Sequence, residues 1–454
     1  MSPAAPRVAV VGAGLAGLAA ATALRARGLG VVLFERDERA GGRLHCVREG
    51  DYLFDLGDPL VSSEDRALRS FIDAMGLRDE LLPLRPVLLA QASGARIAEI
   101  DPRSVSGIAR IPGVRWREAL RLLRLPRLLR RYAPWLDPRE PERAARWDDR
   151  SLADFGRLYF GASVLERWME PRLACRAHAD AAETSRALFL LLERCDPEGR
   201  IGLPRGPLGE LAEAAAARIG VCLGMRVARV QRGAGSSLQL VVAAVGDAAQ
   251  DCEPEEQVDA VLLATPAGEA ARIASPLLSP AEQRFFEGVS YAPAVTLHCG
   301  LRRSFATHPQ LLRLPRRERS PLESLLLEPG VAGGRAPAGA GIAVLRATPE
   351  WSASHWGVPA DVAEKELLGA FERLHPGARR ALVTTRLERV AASHPRFEVG
   401  RYRALERFQR VQRDQRAQGR FLYFANDYLA LPSIEGALLA AERAVEALCA
   451  DLRS

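Results

Sequence analysis

Apolar positions follow two rhythms along this chain. Residues 8 to 24, VAVVGAGLAGLAAATAL, contain no charge. Within them Val8 to Val11 form a β-branched run that predicts a buried strand, and Leu15 to Ala26 predict a helix stopped by Arg27-Gly28. A second apolar strand, Val31-Val32-Leu33-Phe34, ends in the acid Glu35. From Leu81 to about Arg200, leucine and arginine recur at helical spacing, and prolines at 102, 112, 126, 134, 138 and 141 cut the stretch into short helices. Strand and helix then alternate again: a glycine-proline turn and helix in LPRGPLGELAEAAAARIG, and strands in VCLGMRVARV, LQLVVAAV and VDAVLLATP. Residues 286 to 396 mix strand-like runs (AVTLHCGL, GIAVLRAT) with one helix around DVAEKELLGAFERL. The chain closes with a strand to Ala425, a turn and an alanine-leucine helix.

The first apolar stretch could also be read as a membrane span or a signal peptide. It is too short and too rich in alanine and glycine to span a bilayer, and glycine spacing argues against a cleaved leader. Gly12, Gly14 and Gly17 form G-x-G-x-x-G between a strand and a helix. In that arrangement the first glycine permits a tight turn and the second lets the backbone approach a pyrophosphate. The third lets the helix lie close on its strand, with its N-terminus facing the phosphates. Glu35, eighteen residues beyond Gly17, falls where a carboxylate accepts hydrogen bonds from a ribose 2′-hydroxyl; its plainer reading is a solvated strand end. Beyond it, Arg39, Gly41, Gly42 and Arg43 make a glycine turn flanked by guanidinium groups, suited to a phosphate or an isoalloxazine edge, or simply a loop.

Composition narrows the class. At 454 residues, 48% hydrophobic and 26% charged, the chain is an ordinary globular protein with room for two domains. The net charge of +7 rests on arginine, Lys365 being the only lysine, and no clustered basic face with stacking aromatics points to nucleic acid. Seven cysteines without ligand spacing suit reduced thiols in a cytoplasmic protein, and no metal site is expected.

At this point VVGAGLAGLAAATAL…VVLFER, RAGGR, FDLG at 54 to 57, LPRGPLGEL and YFANDYLALPSIEGALLAAERA, in this order, resemble the flavin amine oxidase superfamily. That group includes monoamine oxidases, protoporphyrinogen oxidases and phytoene and squalene-type desaturases. The resemblance implies an α/β fold: a Rossmann-like FAD-binding domain assembled from separated segments (1–80, 201–285 and 397–454) and a mixed α+β substrate domain. The latter would comprise a helical insertion over 81–200 and a sheet over 286–396. Carried over by motif, the loop Gly12-Ala13-Gly14-Leu15-Ala16-Gly17 would hold the FAD pyrophosphate, Glu35 with Arg36 the adenosine end, and Gly42 and Arg43 the region near the flavin. The Val227 backbone would meet the adenine and Asp427 the ribityl and phosphate portion. The helix opening near Pro432, Ser433 and Ile434 would aim N–H groups at the flavin N1/O2 edge, where a positive helix end stabilises an anionic reduced flavin.

Departures from the family pattern are as informative. Asn426 stands where glycine usually precedes the acid and Pro207 where a second glycine is common, which implies altered loop geometry. No lysine lies on the strand from about Ala294 to Cys299, where monoamine-type oxidases place one near the flavin N5, and Cys449 is too late to link a flavin. The catalytic residue stays unassigned, with His298 and His394 as candidates because they flank segments that face the flavin in the family.

The resemblance implies hydride removal from a substrate carbon to FAD, with oxygen or a quinone as electron acceptor. In RWREALRLLRLPRLLRRYAPWL, leucines 120, 123, 128 and 129 and arginines 117, 121, 124 and 131 segregate on a helix broken near Pro126, with Trp116 and Trp135 at its ends. Residues 114–135 would then make a peripheral membrane contact, or equally an ordinary helix with leucines inward. The leading expectation is a carotenoid or squalene-type desaturase or dehydrogenase taking a large apolar substrate, in the cytoplasm or at a membrane surface. A protoporphyrinogen-type oxidase is the alternative, then an amine oxidase, and in another class a non-catalytic flavin-binding subunit.

Overall fold

The computed structural model describes residues 5 to 453 except 95, 102–103, 196–200, 234, 236 and 246–254. Three distant parts of the chain make one parallel sheet. Its strands lie in the order Leu422–Phe424, Ala260–Leu263, Arg7–Val11 and Gly30–Phe34, with Val10 opposite both Leu262 and Leu33. Val8 to Val11 and Ala260 to Leu263 are almost without exposure. Such continuous apolar runs are what a parallel sheet covered on both faces requires. On one face the helix Leu15–Ala26 packs with the terminal helix Ile434–Asp451 and with Gly209–Ile219. The close approach is written into two glycines. Gly12 takes φ +96°, and a Cβ on Gly17 would stand 1.9 Å from the Gly12 carbonyl oxygen.

A seven-stranded sheet forms the second layer system, in the order Leu382–Pro395, Tyr291–Leu301, Gly341–Ala347, Leu322–Pro329, Gln310–Arg313, Leu88–Ser93 and Arg96–Glu99. Along Tyr291–Leu301 the period of two is clean: Val295, Leu297, Cys299 and Leu301 enter a core with Leu367, Ala370 and Phe371 of the helix Ala360–Leu374. Thr296 and His298 therefore face the other way.

Two expectations need correction. The stretch from Leu81 onward is not helical from its start: Leu88–Ser93 and Arg96–Glu99 pair antiparallel and extend the large sheet. Their alternation is hidden by alanines, which carry no β signal. Pro126 does not break its helix either. Trp116–Ala119, Leu120–Leu123 and Arg124–Tyr132 follow one another, with Pro126 in the first turn of the last, where its missing N–H costs little. An unforeseen helix, Arg401–Ala417, packs against Pro141–Trp147 and Pro280–Glu287; its arginines and glutamines masked a narrow buried stripe of Tyr402, Leu405 and Phe408.

Buried ion pairs bind the two sheet systems together. Asp55 accepts from the N–H groups of Leu208 and Gly209 at 3.0 and 3.2 Å, capping the helix Gly209–Ile219. The same carboxylate meets Arg335 at 2.8 Å, and Arg335 meets Glu328 of the large sheet at 2.9 Å.

Gly17→Ala is expected to remove about 1–3 kcal/mol of unfolding free energy through overpacking, read from urea unfolding of the apoprotein. An unchanged midpoint would contradict the close contact.

Candidate active site

The C-terminal ends of the four parallel strands converge on one crevice, the place where open α/β sheets bind ligands. The hydrogen-bond ladder carries each strand into it: Gly12 N donates to Phe34 O, Ala264 N to Val11 O and Ala425 N to Leu263 O, all within 2.9 Å. Gly12, Glu35, Thr265 and Asn426-Asp427 thus stand side by side, drawn from both ends and the middle of the sequence.

Each residue expected here has a definite place. Glu35 is buried and accepts from Ala13 N at 2.7 Å and from Asp37 N at 3.1 Å, which fastens the glycine loop to the second strand while leaving lone pairs for a hydroxyl. Arg36 points to the outer rim and pairs with Glu269 at 3.0 Å. Leu15 and Ala16 are buried in the first helical turn. Gly41 N donates to Ala13 O at 2.8 Å, so the second glycine turn lies against the first, and Gly42 approaches Gly14 directly. Val227 is buried on Met225–Arg232, a strand that begins where Met225 N donates to Glu35 O at 2.8 Å.

Arg43 and Asp427 form an ion pair at 2.8 Å, and Arg43 also donates to the Ser393 carbonyl. Burial works against the Arg43 charge, yet Asp427 raises its pKa above the usual guanidinium value. For Asp427 burial outweighs the arginine, and its pKa is raised. Asn426 is extended, with φ −178°, a conformation open to any residue. Its side chain ties the loop: Oδ1 accepts from Asp427 N at 2.8 Å and Arg43 at 3.4 Å, and Nδ2 donates to Ala264 O at 3.4 Å. Pro207 likewise sits in a turn closed by Glu210 N to its carbonyl at 3.2 Å, under the Asp55 cap.

Three features fit a bound dinucleotide. Gly14 has φ −68°, and a Cβ there would meet nothing within 4 Å, so the fold itself does not demand glycine; the empty space above it does. Asp427 Oδ1 and Thr265 Oγ1 are buried polar atoms with no protein partner, although buried oxygens are ordinarily satisfied. Ser433 caps the terminal helix by accepting from Gly436 N at 3.0 Å, and with Ile434 it opens that helix toward the second layer.

Beside Ser433 lies a cavity of about 90 Å³ between the two sheet systems, open to solvent. Its walls carry Arg172, Arg176 and Arg313 and the acids Asp58, Asp65 and Glu435. Leu60, Leu192, Ile201, Leu311 and Leu431 supply apolar lining, with Ser62, Cys175 and Cys195 beside them. Sequence reasoning missed these charges because they come from two helices, one short strand and two loops with no shared motif. Of the two candidate histidines, one is buried and the other half-buried. His298 is fully buried with no partner for either ring nitrogen, packs on Phe54 at 5.7 Å, and is pushed down to about 3 by burial and nearby Arg346, His45 and Arg386. It is a neutral core ring. His394 Nδ1 lies 2.9 Å from the Ser393 hydroxyl. Among the described residues no group of His, Cys, Asp and Glu could hold a metal ion.

The sequence model of flavin containing amine oxidoreductases matches residues 15–449. The chain belongs to this family. It is 45% identical over 74 residues to protoporphyrinogen oxidase 2 of Arabidopsis thaliana, covering 16% of this chain and 15% of that protein. It is 40% identical over 83 residues to the neurosporene-forming phytoene desaturase of Rhodobacter capsulatus, covering 18% and 16%. The matched stretches thus span a small fraction of these curated relatives. Cyclohexylamine oxidase from Brevibacterium oxydans has the same fold, with a TM-score of 0.73 at 16% identity over 99% of this chain and 100% of that one.

Gly14→Ala is expected to leave apoprotein stability within about 0.5 kcal/mol and to weaken FAD binding. Asp427→Asn is expected to weaken FAD binding about 10- to 100-fold, the value of a hydrogen bond to a charged group. Fluorescence titration of the apoprotein with FAD measures both; wild-type affinity in either variant would contradict the placement.

Proposed function

We propose that the protein removes a hydride from a carbon of a substrate that joins an apolar frame to charged or hydrogen-bonding substituents, as a porphyrinogen does. The observation that carries this is the cavity beside Ser433, where arginines and carboxylates stand among leucines. These charged groups are engaged within the chain, Arg172 with Glu193, Asp58 with Arg346 and Glu435 with the N–H groups of Ala67 and Leu68, so the wall keeps a fixed polarity beside the leucines. Relatives include a protoporphyrinogen oxidase, which is in keeping with this substrate class.

In this reading FAD accepts the hydride, and the chain does the rest. Glu35, Asp427 and the glycine loops hold the cofactor. The helix end at Ser433 and Ile434 places partial positive charge near the flavin. The leucines exclude water from the apolar frame, beside a polar wall that includes Arg172, Arg176 and Arg313. Oxygen or a quinone would then accept the electrons.

The polyene desaturase remains a second reading because of one surface. Trp116, Leu120 and Leu123, spaced i, i+4, i+7, are 63%, 47% and 54% exposed, while Ala119, Leu122 and Leu125 of the same run are buried. Leu158 is 64% exposed nearby, where Arg124 donates to Tyr159 O. Arginines 115, 117, 121, 124, 127, 130 and 131 surround this stripe, and Glu118, the acid within it, is engaged by Ser163. A second apolar face ringed by guanidinium groups supports peripheral contact of residues 114–135 with an anionic membrane. No helix among the described residues is long and apolar enough to cross one.

Anaerobic titration of the FAD-loaded protein with a porphyrinogen, a carotenoid-type polyene in detergent and a polyamine separates the readings. Bleaching by the porphyrinogen is expected; bleaching by the polyene alone would transfer the assignment to the desaturase, by the polyamine alone to an amine oxidase, and silence toward all three would favour a non-catalytic subunit. In sedimentation with phosphatidylserine vesicles at low salt, the wild type is expected to pellet and Trp116→Glu/Leu123→Glu to stay in solution. Equal behaviour of the two proteins would remove the membrane contact.

A further inference from the structure

The edge strand of the large sheet is irregular beside the cofactor crevice, and the irregularity begins with one proline. Where Tyr291–Leu301 pairs with Leu382–Pro395, Ala294 stands opposite Val390 and Ala292 opposite His394, so residues 391 to 393 bulge out against the single Pro293. Proline has no N–H for a ladder and is confined in sheets to edges and bulges, and a bulge re-aims the side chains around it. Ser393 turns its carbonyl to Arg43, the partner of Asp427, which brings His394 to the crevice. Opposite Ala292, His394 lies on the face of Thr296 and His298, away from the core of Val295, Leu297 and Cys299.

His394 differs from the other rings here. His298 is sealed, with neither nitrogen partnered. His178, its ring centre 5.4 Å from that of His394, is engaged at both nitrogens, Nδ1 2.9 Å from Glu323 Oε1 and Nε2 2.9 Å from the Pro293 carbonyl oxygen. His394 bonds through Nδ1 alone, at 2.9 Å to the Ser393 hydroxyl, and its Nε2 has no partner among the described residues. The residue is half-buried and Nε2 is not enclosed, so that nitrogen borders open space.

The partners fix the hydrogens. Ser393 is buried and its hydroxyl has no acceptor other than His394 Nδ1, so the hydroxyl donates. Burial, with His178, Arg346 and Arg43 close by, pushes the His394 pKa well below the usual imidazole value, and the ring is neutral. A neutral ring that accepts at Nδ1 carries its one hydrogen on Nε2. The outcome is a fixed, uncharged N–H donor facing open space next to Arg43.

We propose that His394 Nε2–H donates a hydrogen bond to the N5/O4 edge of the bound flavin and stabilises the charge that reduction places there. This rests on the cofactor placement in the hydride reading above and on no particular substrate. The terminal helix opening at Ser433 takes the N1/O2 edge, which leaves the opposite edge of the ring to the large sheet. Reduction makes the ring carbonyls stronger acceptors, so a preorganised donor binds reduced FAD more tightly than oxidised FAD. A neutral imidazole does this without burying a second cation beside Arg43.

Redox titration of the FAD-loaded protein against a dye of known potential needs no substrate. His394→Leu is expected to keep its FAD while its preference for the reduced form falls about tenfold, a drop of about 30 mV for a two-electron couple. His394→Gln, which restores an N–H, is expected to recover most of that loss. An unchanged potential in His394→Leu overturns the proposal. Spectra of wild-type protein labelled with 15N-histidine decide the matter even if the variants lose FAD. The His394 signal, assigned by its loss in either variant, is expected to show a hydrogen on Nε2 alone at pH 7, to shift when FAD binds and to shift again on reduction with dithionite. Ser393→Ala, which keeps the carbonyl that Arg43 uses, is expected to let the second tautomer appear. A hydrogen on Nδ1 in the wild type, or a His394 signal blind to FAD, overturns the proposal. Failure of every substrate to bleach the wild type would strike the hydride reading and leave the potential and the ring spectrum to decide the donor.

Discussion

A helix lies this close on its own strand only where no side chain intervenes, and a Cβ on Gly17 would stand 1.9 Å from the Gly12 carbonyl oxygen. That contact turns the N-terminus of Leu15–Ala26, with its unsatisfied N–H groups and partial positive charge, into the crevice at the strand ends. Everything else in the cofactor site is arranged around it. Glu35 bonds the loop from one side, Gly41 from another, and Asn426 and Asp427 arrive on a strand that joins the sheet from the far end of the chain. The crevice is consequently a property of the assembled sheet and of no single segment.

The cofactor half of this arrangement was legible because its requirements are local. G-x-G-x-x-G, an acid at the end of the next strand and a glycine turn with Arg43 are each dictated by backbone geometry or by the charge of a phosphate, so residue type and spacing carry the message. The strands Val8–Val11 and Ala260–Leu263 announced themselves as unbroken apolar runs. The substrate half was much less legible. Leu88–Ser93 reads LLAQAS, too poor in β-branched residues to declare a strand, and Arg401–Ala417 hides its buried stripe among charges. Arg172, Arg313 and Asp58 meet only because a helix, a strand and a loop are folded together, and nothing in their spacing says so. Asn426 illustrates the converse: a departure from family pattern that reads as a defect is a three-way tie in the folded chain.

Between the two halves the protein keeps charges buried in balanced sets. Asp55, Arg335 and Glu328 clamp the layers; Arg43 and Asp427 close the cofactor crevice; Asp58, Arg346, Glu323 and His178 occupy the wall behind the cavity. Breaking such a set by removing one partner typically costs about 3–5 kcal/mol, far more than the intact set contributes. These groups therefore fix how the layers meet.

Hydrogen–deuterium exchange of the apoprotein against the FAD-loaded protein tests this arrangement most directly. If one cofactor is gripped by all the converging segments, FAD slows exchange together in residues 12–17, 41–43, 225–229 and 426–436. Protection confined to residues 8–35, or absent, would mean that the distant segments do not share a ligand.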